Sequence, residues 1–186
     1  MSHAIDFDGI SERLFVLQHL VHGSVAYCER EGITADMLED DEPFQNAWGW
    51  TKVLASNYLI ECAVKLRMVQ DFCSKQADAS TLQDIERQAA GDISIGRIIK
   101  GSFPLTVREA CNKIIHATHA TIDFVPSTNS TPPVLAWDGL YNLYGSQGAN
   151  DWHLELDVAR WASVAARFLA LLERDERTLY MGQDYK

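Results

Sequence analysis

Apolar positions recur at helical spacing along most of the chain and change to alternating spacing only after Thr121. At about 100° per residue, Ile10, Leu14, Leu17, Val21, Val25 and Cys28 share one face and predict a helix over about 9–31. Asp8 is its expected N-cap and Gly32 its expected stop. An acidic stretch from Asp36 to Pro43, with Glu39, Asp40, Asp41 and Glu42, reads as a solvated loop. The next helix, about 44–75, is apolar nearly all the way round, through Trp48, Trp50, Val53, Leu54, Tyr58, Ile60, Leu66, Met68 and Phe72. Such a helix is expected to be packed on most sides and to form the centre of the core. Shorter helices are predicted over about 80–90, ending at Gly91, and from Pro104 to about Thr118, with one helical turn over 93–99 between them.

Thr121–Val125 is β-branched and aromatic, and a proline-punctuated loop from Pro126 to Pro133 follows it. Val134–Tyr144 and Trp152–Leu156 predict two strands, joined over Gly145–Asn150 as an antiparallel hairpin. Asp157 is the expected cap of a last helix, about 158–174, with a buried stripe of Trp161, Val164, Ala165, Phe168, Leu171 and Leu172. The tail from Asp175 is polar. The expected fold class is mainly α: a single domain over 1–186 built as a bundle of four to five helices, with a small C-terminal antiparallel β-hairpin or sheet.

Composition narrows the function classes. The 186 residues are 47% hydrophobic and 23% charged, the balance of a globular chain rather than a disordered one. A formal net charge of −10 repels nucleic acid at long range, so any nucleic-acid site must be local. No basic-then-apolar leader and no run of about 20 apolar residues is present, so the expected location is cytoplasmic, with no membrane partner. Under that expectation the match of Asn129-Ser130-Thr131 to a glycosylation sequon is fortuitous. Cys28, Cys62, Cys73 and Cys111 are too widely spaced for a zinc knuckle or a redox pair and read as free core thiols. Gly91 and Gly96 lack the Gly-Lys-Ser/Thr ending of a phosphate loop.

The segment richest in chemistry is Leu105–His119. Val107, Ala110, Cys111, Ile114 and Ala117 occupy one half of its helical wheel. Arg108, Asn112 and His116 recur every four residues on the other half, with His119 alongside. A guanidinium binds phosphate oxygens in a bidentate manner and an imidazole transfers protons near neutral pH, so this line fits an anion or phosphodiester site; a solvated helix face is the alternative. The second helix offers a companion line, Asn57, Glu61 and Lys65, in which Glu61 is positioned to pair with Arg108 or His116 or else to close an internal ladder.

Val-Arg-Glu-Ala-Cys-Asn-Lys-Ile-Ile-His-Ala, over 107–117, resembles the signature helix of HEPN-like helical domains. Seven residues separate Arg108 from His116, against four to six in the family pattern, which leaves the two about 80° apart and roughly 12 Å along the axis. The resemblance implies a homodimer whose facing helices form an RNA-cleaving cleft without metal or other cofactor. Arg108, Asn112 and His116 would be catalytic in that cleft, with Glu61, Lys65 and His119 as binding residues.

Two other site types can be weighed. His19/His22 and His116/His119 are each three apart, but the Glu-x-x-His pattern of bundle metal sites is missing, so no metal is expected. Trp137 and Trp152 bracket the hairpin with Tyr141 and Tyr144 between them. No Lys or Arg lies between Thr118 and Val158, which favours packing, or a protein partner, over base stacking. A non-catalytic interaction module and a binder of small anions are the competing functions.

Overall fold

A computed structural model of the protein describes residues 6–34, 36–37, 40–76, 79–127 and 133–174. The sequon and the tail from Asp175 lie outside them, as does Glu39. Five helices and six short strands follow in the order α1 (Phe7–Glu31), α2 (Glu42–Gln76), α3 (Ala79–Ala90), β1 (Gly96–Lys100), α4 (Val107–His116), β2 (His119–Thr121), β3 (Phe124–Pro126), β4 (Leu135–Trp137), β5 (Leu140–Gln147), β6 (Asn150–Asp157) and α5 (Val158–Arg174). The protein is mainly α with a minor antiparallel β part.

The helices form where the pattern places them, with caps that differ in detail. The α1 N-cap is Asp6 rather than Asp8: the Gly9 N–H donates to Asp6 Oδ1 at 2.8 Å, and Asp8 sits in the first turn. Gly32 ends α1 in the left-handed conformation, φ 67°, as expected. Helix α4 starts at Val107 rather than at Pro104, and Thr106 caps it through a bond from the Glu109 N–H. Asp157 caps α5 by accepting from the Arg160 N–H at 3.0 Å. Helix α1 packs on α5 and α2, α2 on α4, and α3 on α5.

The strands depart further from expectation. The segment expected to add a helical turn is β1, and it pairs with β6, so the sheet has four strands in the order β1-β6-β5-β2, all antiparallel. Gly96 permits this pairing, because a Cβ there would stand 2.4 Å from the Glu155 carbonyl oxygen. The hairpin turn is tighter than predicted. Gly145 stays within β5, and the chain reverses over Gly148-Ala149 with Gly148 at φ 63°, the position where a two-residue turn needs positive φ. Gly145 has a packing role instead: a Cβ there would lie 2.3 Å from the Trp152 ring. Leu135–Trp137, predicted as part of one long strand, pairs separately with β3.

One face of the four-stranded sheet carries Tyr141, Leu143, Trp152, Leu154 and Leu156 into the core, where they join Trp161, Phe168, Leu14, Leu17, Leu59 and Leu66. The four cysteines are free and buried, and burial raises every thiol pKa, with Cys62 pushed up to about 12. A folded-state pKa above the ordinary value means that deprotonation favours unfolding. The stability contributed is full below about pH 9 and falls as the pH rises toward 12, by roughly 1.4 kcal/mol per unit for a thiol as buried as Cys62. Urea unfolding between pH 8 and pH 11 is expected to show this decline, with a shallower slope in Cys62→Ala.

Candidate functional site

Helix α4 runs antiparallel to α2, its start beside Asp71 and its end beside Ile60. Thr106 and Glu86 hold its first turn: the Arg108 N–H donates to Glu86 Oε1 at 2.7 Å, which places a buried carboxylate at the positive end of the helix. The apolar half of the wheel, Val107, Ala110, Cys111 and Ile114, is buried as predicted. Lys113 is buried as well, its ammonium 4.3 Å from the Phe103 ring centroid, 4.6 Å from that of Trp152 and 3.2 Å from Glu109.

The predicted polar line remains on the outer side of α4, but its members differ in availability. Arg108 donates to Asp71 at 2.6 Å, and Asp71 also meets Arg67. Asn112 donates to Glu109 at 2.9 Å, one turn earlier. His116 is exposed at the C-terminal end of α4, and His119 is exposed on β2. Glu61 does not reach Arg108 or His116. It accepts from Arg13 of α1 and pairs with Lys65 at 2.7 Å, and both partners lower its pKa. The internal ladder is therefore the arrangement formed, because α1 lies nearer to Glu61 than α4 does. The Arg108–Asp71 pair is 39% and 50% exposed, so Arg108→Ala is expected to cost less than about 1 kcal/mol, measured as a small melting shift.

Sequence reasoning misjudged α2. Trp50, Val53, Ile60, Val64 and Met68 are exposed, contrary to the expectation of packing on most sides. With exposed Asn57 they follow spacings of three and four residues, a heptad seam along one helix face, and the α4 line borders its C-terminal half. Positions 50–71 hold Lys52, Lys65 and Arg67 against Glu61 and Asp71, with Lys65 paired to Glu61 and Arg67 to Asp71. Between Ile60 and the end of α4 lies a small pocket lined mainly by Leu59, Ile114, Ala117, Tyr141 and Leu143, with His119 at its margin.

The solvent side of the sheet holds a second polar group that spacing did not reveal. His119, Tyr144 and His153 stand opposite one another on β2, β5 and β6, and Lys100 of β1 completes the row. The Tyr144 and His153 rings stack at 4.2 Å, and His119 lies 5.6 Å from Tyr144. His153 Nε2 is 3.0 Å from Asn142 Oδ1, and Asn142 Nδ2 donates to Asp123 at 3.3 Å. Burial and the neighbouring Asp123 and Glu155 carboxylates raise the pKa of Asp138 beside this group. The cross-strand row is set by the strand register.

Trp137 and Trp152 are buried, as the packing expectation held. Among the described residues, no three His, Cys, Asp or Glu side chains group as metal ligands, and no helix is long and apolar enough to cross a membrane. Comparison with protein-family models, with curated proteins and with solved structures finds no match to this chain.

Proposed function

We propose that the chain is a HEPN-like helical domain that forms a homodimer along α2 and acts on RNA without metal. The observation that carries the reading is the exposed seam on α2 lying against the Arg108–Asn112–His116 line. An apolar stripe this long is unusual on a monomer surface, and three-four spacing is what a second helix packs into. An antiparallel pairing centred between Asn57 and Ile60 sets Val53 against Val64 of the second copy and Trp50 against Arg67, one residue from Met68.

The same pairing brings the His116 ends of both α4 helices nearest the two-fold axis. His116 would act there as general acid or base, and Arg108 would exchange Asp71 for phosphate, at small cost because the ion pair is exposed. Asn112 would hold the backbone, with Lys65, Glu61 and His119 at the rim. A dimerisation module without catalysis is the second reading, favoured by the intramolecular partners that Arg108 and Asn112 already have. The pocket beside Ile60 is mainly apolar and lends a small-anion binder no support.

Sedimentation equilibrium on the purified protein is expected to give twice the mass of the chain. Fluorescently labelled single-stranded RNA is expected to bind with strong salt dependence, and Arg108→Ala is expected to weaken it. A monomer that binds no RNA would end this reading, and a dimer that binds none leaves the module.

A further inference from the structure

We propose that the pocket between β5 and the α2–α4 pair binds a neutral, single-ring hydroxylated molecule of the size of phenol, with the Tyr141 hydroxyl as its acceptor. This is a small-molecule site, independent of the dimer and RNA reading above.

The walls come from three elements. Leu59 of α2, Ile114 of α4 and Leu143 of β5 form the inner side, all buried, and exposed Ile60 and His119 stand at the open side. The pocket holds a volume of about 140 Å³. An apolar cavity of about 150 Å³ takes up one benzene ring, so the space admits a single ring with a small substituent. Burying that ring against three aliphatic side chains supplies the driving force.

The polar wall has a fixed direction. Ser56 and Tyr141 both line the pocket, and their hydroxyls are hydrogen-bonded to each other. The Ser56 hydroxyl also donates to the Lys52 carbonyl at 2.6 Å, a group that can only accept. A serine hydroxyl carries one proton, so the bond between the two hydroxyls is made by the Tyr141 proton, donated to Ser56 Oγ. Tyr141 Oη then has lone pairs to offer a ligand and no proton. It takes a donor.

Charge is selected against. Among the described residues that line the pocket there is no carboxylate, Lys or Arg. An ammonium ligand would give up its water without a counter-charge, and a carboxylate would meet the Tyr141 lone pairs without a donor. A neutral hydroxyl satisfies Tyr141 and leaves the rest of the ring on Leu59, Ile114 and Leu143.

The test uses the full chain with phenol as the probe, and toluene, pyridine and benzoate for comparison, followed by calorimetry and NMR. Phenol is expected to bind with a Kd on the order of 1 mM or tighter and to shift the His119 ring resonances. It is expected to be preferred over toluene by about tenfold, and benzoate is expected not to bind. Tyr141→Phe is expected to abolish the preference for phenol over toluene. Ser56→Ala releases the Tyr141 proton, so pyridine, which only accepts, is expected to gain about tenfold in affinity. A merely structural role for Ser56 would not produce that gain. Ala117→Leu, half-buried at the end of α4, fills the pocket and is expected to remove phenol binding with the melting temperature kept. No binding of phenol at about 10 mM, or a phenol preference that persists in Tyr141→Phe, would overturn the site. So would phenol binding that survives in Ala117→Leu, or pyridine affinity unchanged in Ser56→Ala.

Discussion

Ile60→Asp with Val64→Asp is expected to leave the proposed α2 homodimer as a folded monomer. Both side chains are exposed in the single chain, Ile60 by 50%, so the substitutions remove little from the chain's own core. In the dimer each copy would bury two carboxylates in an apolar seam. An unpaired charge in such a place costs several kcal/mol, and each 1.4 kcal/mol weakens the dissociation constant tenfold. A loss of affinity of at least about 1000-fold is expected by sedimentation, with circular dichroism and the melting temperature close to those of the parent. On the proposed reading RNA affinity is expected to fall with it, because the two His116 ends would no longer share a site. A double variant that stays dimeric would move the interface elsewhere on the molecule.

Trp137→Ala is expected to be the most damaging single change to the fold, costing about 3–5 kcal/mol in urea unfolding. The side chain is 1% exposed, and its Nε1–H donates to the Leu140 carbonyl at 2.8 Å. Truncation leaves a cavity and an acceptor without its donor. The backbone N–H of the same residue donates to Ser24 of α1 at 2.9 Å, so Trp137 ties the small β3–β4 sheet to the helices. Gly139 tightens the same corner: at φ 87° it lies against Val21, where a Cβ would approach within 2.5 Å. Trp50→Ala is the control. Its side chain is 64% exposed, so its loss is expected to weaken dimerisation and leave the unfolding of the chain nearly unchanged. Equal destabilisation by the two substitutions would refute this division between a core indole and a surface indole.

The two indoles also mark the limit of periodicity. Buried and exposed positions on α2 are equally apolar, so spacing alone could not distinguish a face covered by the chain's own helices from a face left exposed. The α4 line was legible because its polar and apolar halves differ in chemistry. Its partners were not, because Asp71, Glu86 and Arg13 reach α4 and Glu61 from elements far away in sequence. Gly145 and Gly96 read as a turn and as a helical stretch because a glycine's reason for being present is often a neighbour. Here the neighbours are the Trp152 ring and the Glu155 backbone.

Local order settled the helices, their stops at Gly32 and Gly91, the cap at Asp157 and the inward half of α4, since those depend on residues within a turn or two. Long-range pairing alone decided the four-stranded sheet, the row from His119 through Tyr144 to His153, and the exposure of the α2 seam. Strand register and face coverage are set by contacts between distant segments, and a pattern read along the chain holds no distance between them.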